Sequence, residues 1–151
     1  MLFRRVRAEF SDGVIDLLPL RLYPPETEMG FGRVYDYMIV PHGTHREVGR
    51  ISLRMGESPC VYYFGHIGYH VDPPYRGNHY ARRACALLRP LIALHGKSSV
   101  VITTDPDNWA SRKTCLGLGC TLERTVAVPQ EIRDRWEISA VKCRYIWRID
   151  G

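Results

Sequence analysis

The stretch from Gly68 to His95, GYHVDPPYRGNHYARRACALLRPLIALH, constrains the fold of this chain more than any other. It reads as a strand end, a Pro-Pro turn at Pro73 and Pro74, the loop Arg76-Gly77-Asn78-His79-Tyr80, and then a helix. From Ala81 onward the apolar residues fall at helical spacing: Ala81, Ala84, Cys85, Leu88, Leu91 and Ile92, with His95, share one face, while Arg82, Arg83 and Arg89 point elsewhere. Where a small-residue loop opens onto a helix N-terminus, several backbone N–H groups lack an intrahelical partner and converge with the helix dipole behind them. Such a spot suits phosphate or pyrophosphate, and Gly77 lets the ligand approach the backbone.

The rest of the chain supplies strands around this unit. Phe3–Phe10 and Val14–Tyr23 flank the turn signal Ser11-Asp12-Gly13 and predict an N-terminal β-hairpin, with Pro19 marking an edge or a bulge. After the loop Pro24–Gly32, the segments Val34–Val40, Val48–Arg54 and Val61–Val71 read as three antiparallel strands. Gly96 stops the first helix, and Ser99–Thr104 (SVVITT) reads as a buried strand parallel to Val61–Val71. Asp105 to Asn108 then offer caps for a second helix, Trp109–Leu118. Thr121–Val128 and Ser139–Ile149 are strand-like and joined by a charged loop, Pro129–Glu137. The expectation is one domain over residues 1–151, α/β in content (α+β in some schemes): a mixed, strongly twisted sheet with a central β-α-β unit, two substantial helices and a C-terminal β-hairpin.

Two motifs carry a family resemblance. The string Val71-Asp72-Pro73-x-Tyr75-Arg76-Gly77-Asn78-His79-Tyr80-Ala81 resembles the acetyl-CoA loop of the GNAT superfamily of N-acetyltransferases, Q/R-x-x-G-x-G/A, with His79 where that family usually has glycine. About thirty residues on, NWASRKTCLGLG (Asn108 to Gly119) resembles the second GNAT motif, N-x-x-A/S-x-x-x-Y-x-x-x-G. The resemblance runs from about Glu47 to Cys120. It implies acetyl-CoA as co-substrate, no metal, and coenzyme contacts from Val71, Arg76, Gly77, Asn78, His79, Tyr80, Ala81, Arg82, Asn108 and Ser111. It also implies two helices between the first and second strands. Yet only roughly ten residues separate Tyr23 from Arg33, and one ordinary helix takes about eleven. The acceptor side must then be walled by this loop or by a second subunit, which leaves room for a homodimer.

Direct transfer to an amine needs a base, an acid and a donor to the carbonyl oxygen. His66 and His70 alternate on the strand expected to meet the acetyl group. His66-Ile67-Gly68-Tyr69 resembles the Ile-Gly-Tyr strand of the ribosomal-protein branch, with His66 in place of its carboxylate; the alternative is a polar residue on one sheet face. Cys115 stands where the family usually has the tyrosine that protonates the leaving thiolate. It reads either as that acid, in which case no tyrosine is needed, or as a buried core cysteine, in which case Tyr69, Tyr80 or a water serves. Asn108 reads as a helix cap, a ligand contact, or both. The N–H near Val71 is the expected oxyanion donor.

The formal net charge of +5 suits an acidic partner, and coenzyme A satisfies that. No Lys/Arg block or basic aromatic stripe points to nucleic acid. Five scattered cysteines without a C-x-x-C pair suggest neither a disulfide framework nor zinc, and fit a reducing cytoplasm. Neither a membrane-spanning run nor a signal-peptide core is evident. The function expected is an acetyl-CoA-dependent N-acetyltransferase acting on a primary amine, with a non-catalytic CoA-binding module as the rival.

Overall fold

The computed structural model describes residues 8–22 and 24–150. The strand expected over Phe3–Phe10 lies mostly outside them. The chain begins with β1 (Phe10–Ser11) and β2 (Ile15–Leu22), turned at Asp12, whose carboxylate accepts the N–H groups of Val14 and Ile15 at 2.8 Å each. β2 is bulged between Pro19 and Arg21, because proline has no N–H to give a ladder. Then come β3 (Val34–Pro41) and β4 (Gly49–Arg54), α1 (Pro59–Phe64), β5 (Ile67–Val71), a single 3-10 turn at Pro73–Tyr75, and α2 (Tyr80–Leu94). The chain closes with β6 (Ser99–Thr104), α3 (Trp109–Gly117), β7 (Thr121–Ala127), α4 (Gln130–Arg135) and β8 (Val141–Arg148).

Among the described residues eight strands form one sheet in the order β1-β2-β3-β4-β5-β6-β8-β7. Every neighbouring pair is antiparallel except β5 and β6, which run parallel and share a single register pair, Ile67↔Ile102. α2 and α3 pack on one face. The buried side of α2 is Ala84, Cys85, Leu88 and Ile92, set against inward residues such as Ile51, Leu53, Ile67, Val100 and Trp147. Pro90 sits inside α2 on its exposed side, where water can satisfy the carbonyl it leaves unpaired. On β8, Arg144 alternates with Cys143 and Tyr145 and so points to the other face. There it reaches the carbonyl of Tyr62 on α1, lies over the Tyr62 ring at 3.6 Å from its centroid, and pairs with Glu123 at 3.0 Å.

Two sequence expectations are corrected. Val61–Val71 is not one strand: Ser58 caps α1 by accepting the Val61 N–H at 3.1 Å, Pro59 opens it, and Gly65 (φ 82°) ends it before β5 starts. The segment Pro129–Glu137 is not simply a loop, since it carries α4. That helix is anchored by buried Ile132 and laced by a Gln130 to Asp134 hydrogen bond of 2.8 Å.

The residues after β2 form a compact loop in place of helices. Glu26 and Gly32 bridge each other, the Glu26 carboxylate accepts the N–H groups of Met29 and Phe31, and Ser58 Oγ donates to the Met29 carbonyl at 2.7 Å. Phe31 is thereby laid edge-on against Phe64 of α1.

Candidate active site

β5 and β6 diverge after Ile67. In the β4–β5 ladder the N–H of Asp72 bonds to Val48 and that of Arg54 to His66. Alternation therefore turns the N–H of Val71 away from β4, toward the gap. On the helical side of this gap lies an open cleft of ≈ 420 Å³. Its floor is Tyr69 and Val71, one wall is the loop and first turn of α2, and the other is the first turn of α3.

The loop is built as an N–H cradle. The backbone N–H groups of Gly77, Asn78, His79, Tyr80, Ala81 and Arg82 have no acceptor among the described residues; the first helical bond runs from Arg83 to His79. Gly77 adopts φ +90° and His79 φ +59°, the one non-glycine residue with positive φ among those described. That conformation is the physical reason for glycine at His79's place in the resemblance. Arg76 braces the turn, its Nε donating to the Val71 carbonyl at 2.8 Å, and Asn78 Nδ2 donates to the Tyr75 carbonyl at 3.0 Å.

Val71, Arg76, Gly77, His79, Tyr80, Ala81, Arg82, Asn108 and Ser111 all line this one cleft; Asn78 lies beside it, its side chain turned to the loop. Arg82 lies across Gly117 of α3, so that a Cβ there would come within 2.9 Å of its Cδ. Arg83 instead pairs with Asp12 at 2.9 Å. Asn108 is the α3 cap, accepting the Ser111 N–H at 3.1 Å, and also borders the cleft.

His66 and Cys115 are placed elsewhere. His66 is buried with both ring nitrogens engaged: Nδ1 accepts the Val101 N–H at 2.9 Å and Nε2 meets Glu57 at 2.6 Å. It borders none of the hollows described here and has no nitrogen left for an amine, so its expected role as base is corrected to that of a bolt between β5 and β6. Burial, outweighing the Glu57 contact, holds its pKa below the ordinary histidine value of 6.5. The unfolded chain therefore takes up this proton first. The stability His66 contributes is complete above about pH 6.5 and lost as pH falls toward the folded pKa. A His66→Gln variant is expected to lose stability at pH 7.5, and its melting temperature to fall less steeply than the parent's between pH 7 and 5. Equal slopes would remove this account.

Cys115 is fully buried among Cys85, Cys120 and Tyr69. Its hydrogen bond with Cys120, together with burial, pushes the thiol pKa up, and its sulfur faces the core rather than the cleft. The geometry supports the core reading and opposes a role as acid. Tyr69 reaches the neighbouring place from the strand: its hydroxyl bonds Ser111 Oγ at 2.8 Å, and burial pushes its pKa up, so it stays protonated.

The sequence reading missed several residues here. Lys113 and Thr114 line the cleft on α3, three residues beyond Ala110 and Ser111 respectively, a placement that helical spacing from the first turn of α3 could have revealed. Tyr69, Asn108 and Ser111 also border a second hollow of ≈ 360 Å³ that Arg54 and Gly68 line as well, and Tyr69 borders a third of ≈ 580 Å³ together with His70. Among the described residues no group of His, Cys, Asp and Glu is placed to hold a metal ion, and no helix is long and apolar enough to cross a membrane.

Comparison with known proteins bears on this geometry. Residues 20–121 match the family profile of the acetyltransferase (GNAT) domain. No curated protein sequence matches the chain. Among solved structures, it is similar to RimL, a ribosomal L7/L12 alpha-N-protein acetyltransferase (21% identity, 78% of this chain and 71% of that one, TM-score 0.57). It is also similar to the ribosomal-protein-S5-alanine acetyltransferase of Vibrio fischeri (19%, 78% and 63%, 0.60). A third likeness is to the microcin C7 self-immunity acetyltransferase MccE, solved with acetyl-CoA and AMP (21%, 76% and 61%, 0.57). At these identities the likenesses establish the fold.

Proposed function

The chain belongs to the GNAT acetyltransferase family, and from that premise we propose that it transfers an acetyl group from acetyl-CoA to a primary amine by direct attack. One observation carries the reading: an unpartnered N–H cradle, Gly77 to Arg82, opens onto a cleft that runs into a gap in the sheet. Acetyl-CoA supplies the acetyl group already activated as a thioester. The cradle and Arg82 would hold its phosphates, and Asn108 and Ser111 would border its pantetheine arm. The Val71 N–H faces the place where negative charge develops on the carbonyl oxygen, and a preorganised donor there costs no reorganisation.

The acid in this reading is Tyr69. Its hydroxyl sits in the gap beside Ser111 and can give a proton to the departing sulfur. The base is His70, an exposed residue at the end of β5 that borders both the coenzyme cleft and the hollow on the far face, unlike the buried His66. Residues 1–151 act as one domain, and a reducing cytosol suits the free, buried cysteines.

CoA or acetyl-CoA at millimolar concentration is expected to raise the melting temperature by several degrees, since a ligand that binds only the native state at 100 times its Kd adds about 2.7 kcal/mol. ATP and NAD should raise it much less. Release of free thiol from acetyl-CoA on adding an amine panel then tests the transfer itself. No shift with CoA would overturn the cradle, and a shift without thiol release would leave a coenzyme-binding module.

A further inference from the structure

The face of the sheet opposite the coenzyme cleft carries an arginine whose surroundings do not use it up. Arg54 alternates with Leu53 on β4 and so projects away from the core. Its Nη1 donates to the carbonyls of Phe64 and Gly65, at 3.2 Å each, and its guanidinium lies 4.8 Å from the centre of the Phe31 ring. Nε and Nη2 have no acceptor among the described residues, and no carboxylate stands within ion-pair distance. Asp36 is near enough to act on it through space only. The guanidinium is largely withdrawn from water, which draws its pKa below the ordinary arginine value. A desolvated cation with open donors gains more from an anion than an exposed one does.

Its position fits the chemistry described above. Nη2 presses against Gly68 so closely that a Cβ at that position would come within 2.7 Å of it. With no Cβ at that place on β5, the guanidinium lies directly against the strand beside the gap. Arg54 borders both the hollow of ≈ 360 Å³ and the far-side hollow of ≈ 580 Å³, and Tyr69 in the gap borders the same two. The other cation of the smaller hollow, Lys142, is already paired with Asp105 at 2.8 Å. Arg50 of the larger one is bonded to Glu47.

We propose that Arg54 is a specificity determinant for the acceptor: it receives an anionic group, carboxylate or phosphate, of a small amine that enters from the face opposite the coenzyme and presents its nitrogen at the gap. Two donors in one plane, Nε and Nη2, match two oxygens of such a group. Phe31 and Phe64 fix that plane, so the loop that replaces the family's two helices orients the anchor.

The proposal rests on the amine-acetylating reading, and the test separates the two. Matched amines are compared at saturating acetyl-CoA: β-alanine with propylamine and phenylalanine with phenethylamine for carboxylate, phosphoethanolamine with ethanolamine for phosphate. The parent is expected to favour the anionic member of at least one set by about 10–100-fold in kcat/KM, the range of charge-assisted hydrogen bonds. Arg54→Gln should bring that ratio near one, Arg54→Lys should keep part of it, and the melting shift produced by CoA should not change in either. Because the ratio is internal to each sample, a partly unfolded variant still reports it. A parent ratio near one, or an unchanged ratio in Arg54→Gln, overturns the proposal. If no amine releases thiol, the transfer reading fails. Calorimetric titration of the CoA-saturated protein with the same pairs then decides: Arg54-dependent binding of the anionic members upholds the anchor, and binding that is absent or indifferent to Arg54 overturns it.

Discussion

A Gly77→Val variant is expected to bind CoA about 5- to 150-fold more weakly than the parent while melting at nearly the same temperature without ligand. The effect does not come from a clash inside the protein, because a Cβ at Gly77 meets nothing within 4 Å. It comes from the backbone. At φ +90° a β-branched residue is strained by about 1–3 kcal/mol, and an exposed loop escapes that strain by relaxing to another conformation. The free protein then loses little, while coenzyme binding must restore the cradle and bear the strain. The added side chain also stands between backbone and phosphate. Calorimetric titration with CoA checks the first part and thermal melting the second. His79→Gly is the contrasting substitution: it keeps the N–H and removes the strain of φ +59°, so CoA affinity should hold or rise. Normal CoA binding by Gly77→Val would move the phosphate site away from this loop.

Trp147→Ala is expected to have the largest effect on stability, lowering it by about 3–5 kcal/mol. That is a melting shift of roughly 6–20 °C for a chain of this size. Trp147 heads the fully buried side chains by volume, lies on β8 opposite Val100 of β6, and is stacked by Arg89 at 4.9 Å. Its removal leaves a void in which Val100, Arg89 and the end of α2 lose contacts. Trp147→Phe should cost far less, because the indole Nε1–H has no hydrogen-bond partner among the described residues and phenylalanine discards a buried donor that they leave unsatisfied. Equal losses in the two variants, read by chemical denaturation, would mean that the donor is satisfied in solution and that volume alone does not govern the site.

What could be read from the sequence was what local chemistry determines. The Pro-Pro turn, the glycine loop and the spacing of Ala84, Cys85, Leu88 and Ile92 lie within one stretch, and each constrains its neighbours directly. α1 was missed because Val61, Tyr62, Tyr63 and Phe64 favour strands, and tertiary burial overrode that preference. The signal that could have corrected it was Ser58-Pro59, a cap followed by proline at the first helical position. His66 was misjudged for a different reason. The groups that occupy its ring, Glu57 and the Val101 N–H, come from other elements, and nothing near His66 in sequence announces both. Arg54 passed unremarked because its seclusion exists only once β4 pairs with β5 at Ser52↔Gly68 and the loop after β2 delivers Phe31.

The single register pair between β5 and β6 sets how the molecule carries strain. This sheet is most sparsely paired near its centre line, where strands β1 to β5 meet strands β6, β8 and β7 almost without rungs. Side-chain packing under α2 and α3, with the His66 ring near one end, sets the tilt between these two plates. A ligand lying in that seam bridges them from within, so occupancy is felt as stiffness between the N-terminal and C-terminal halves, well beyond the residues it touches.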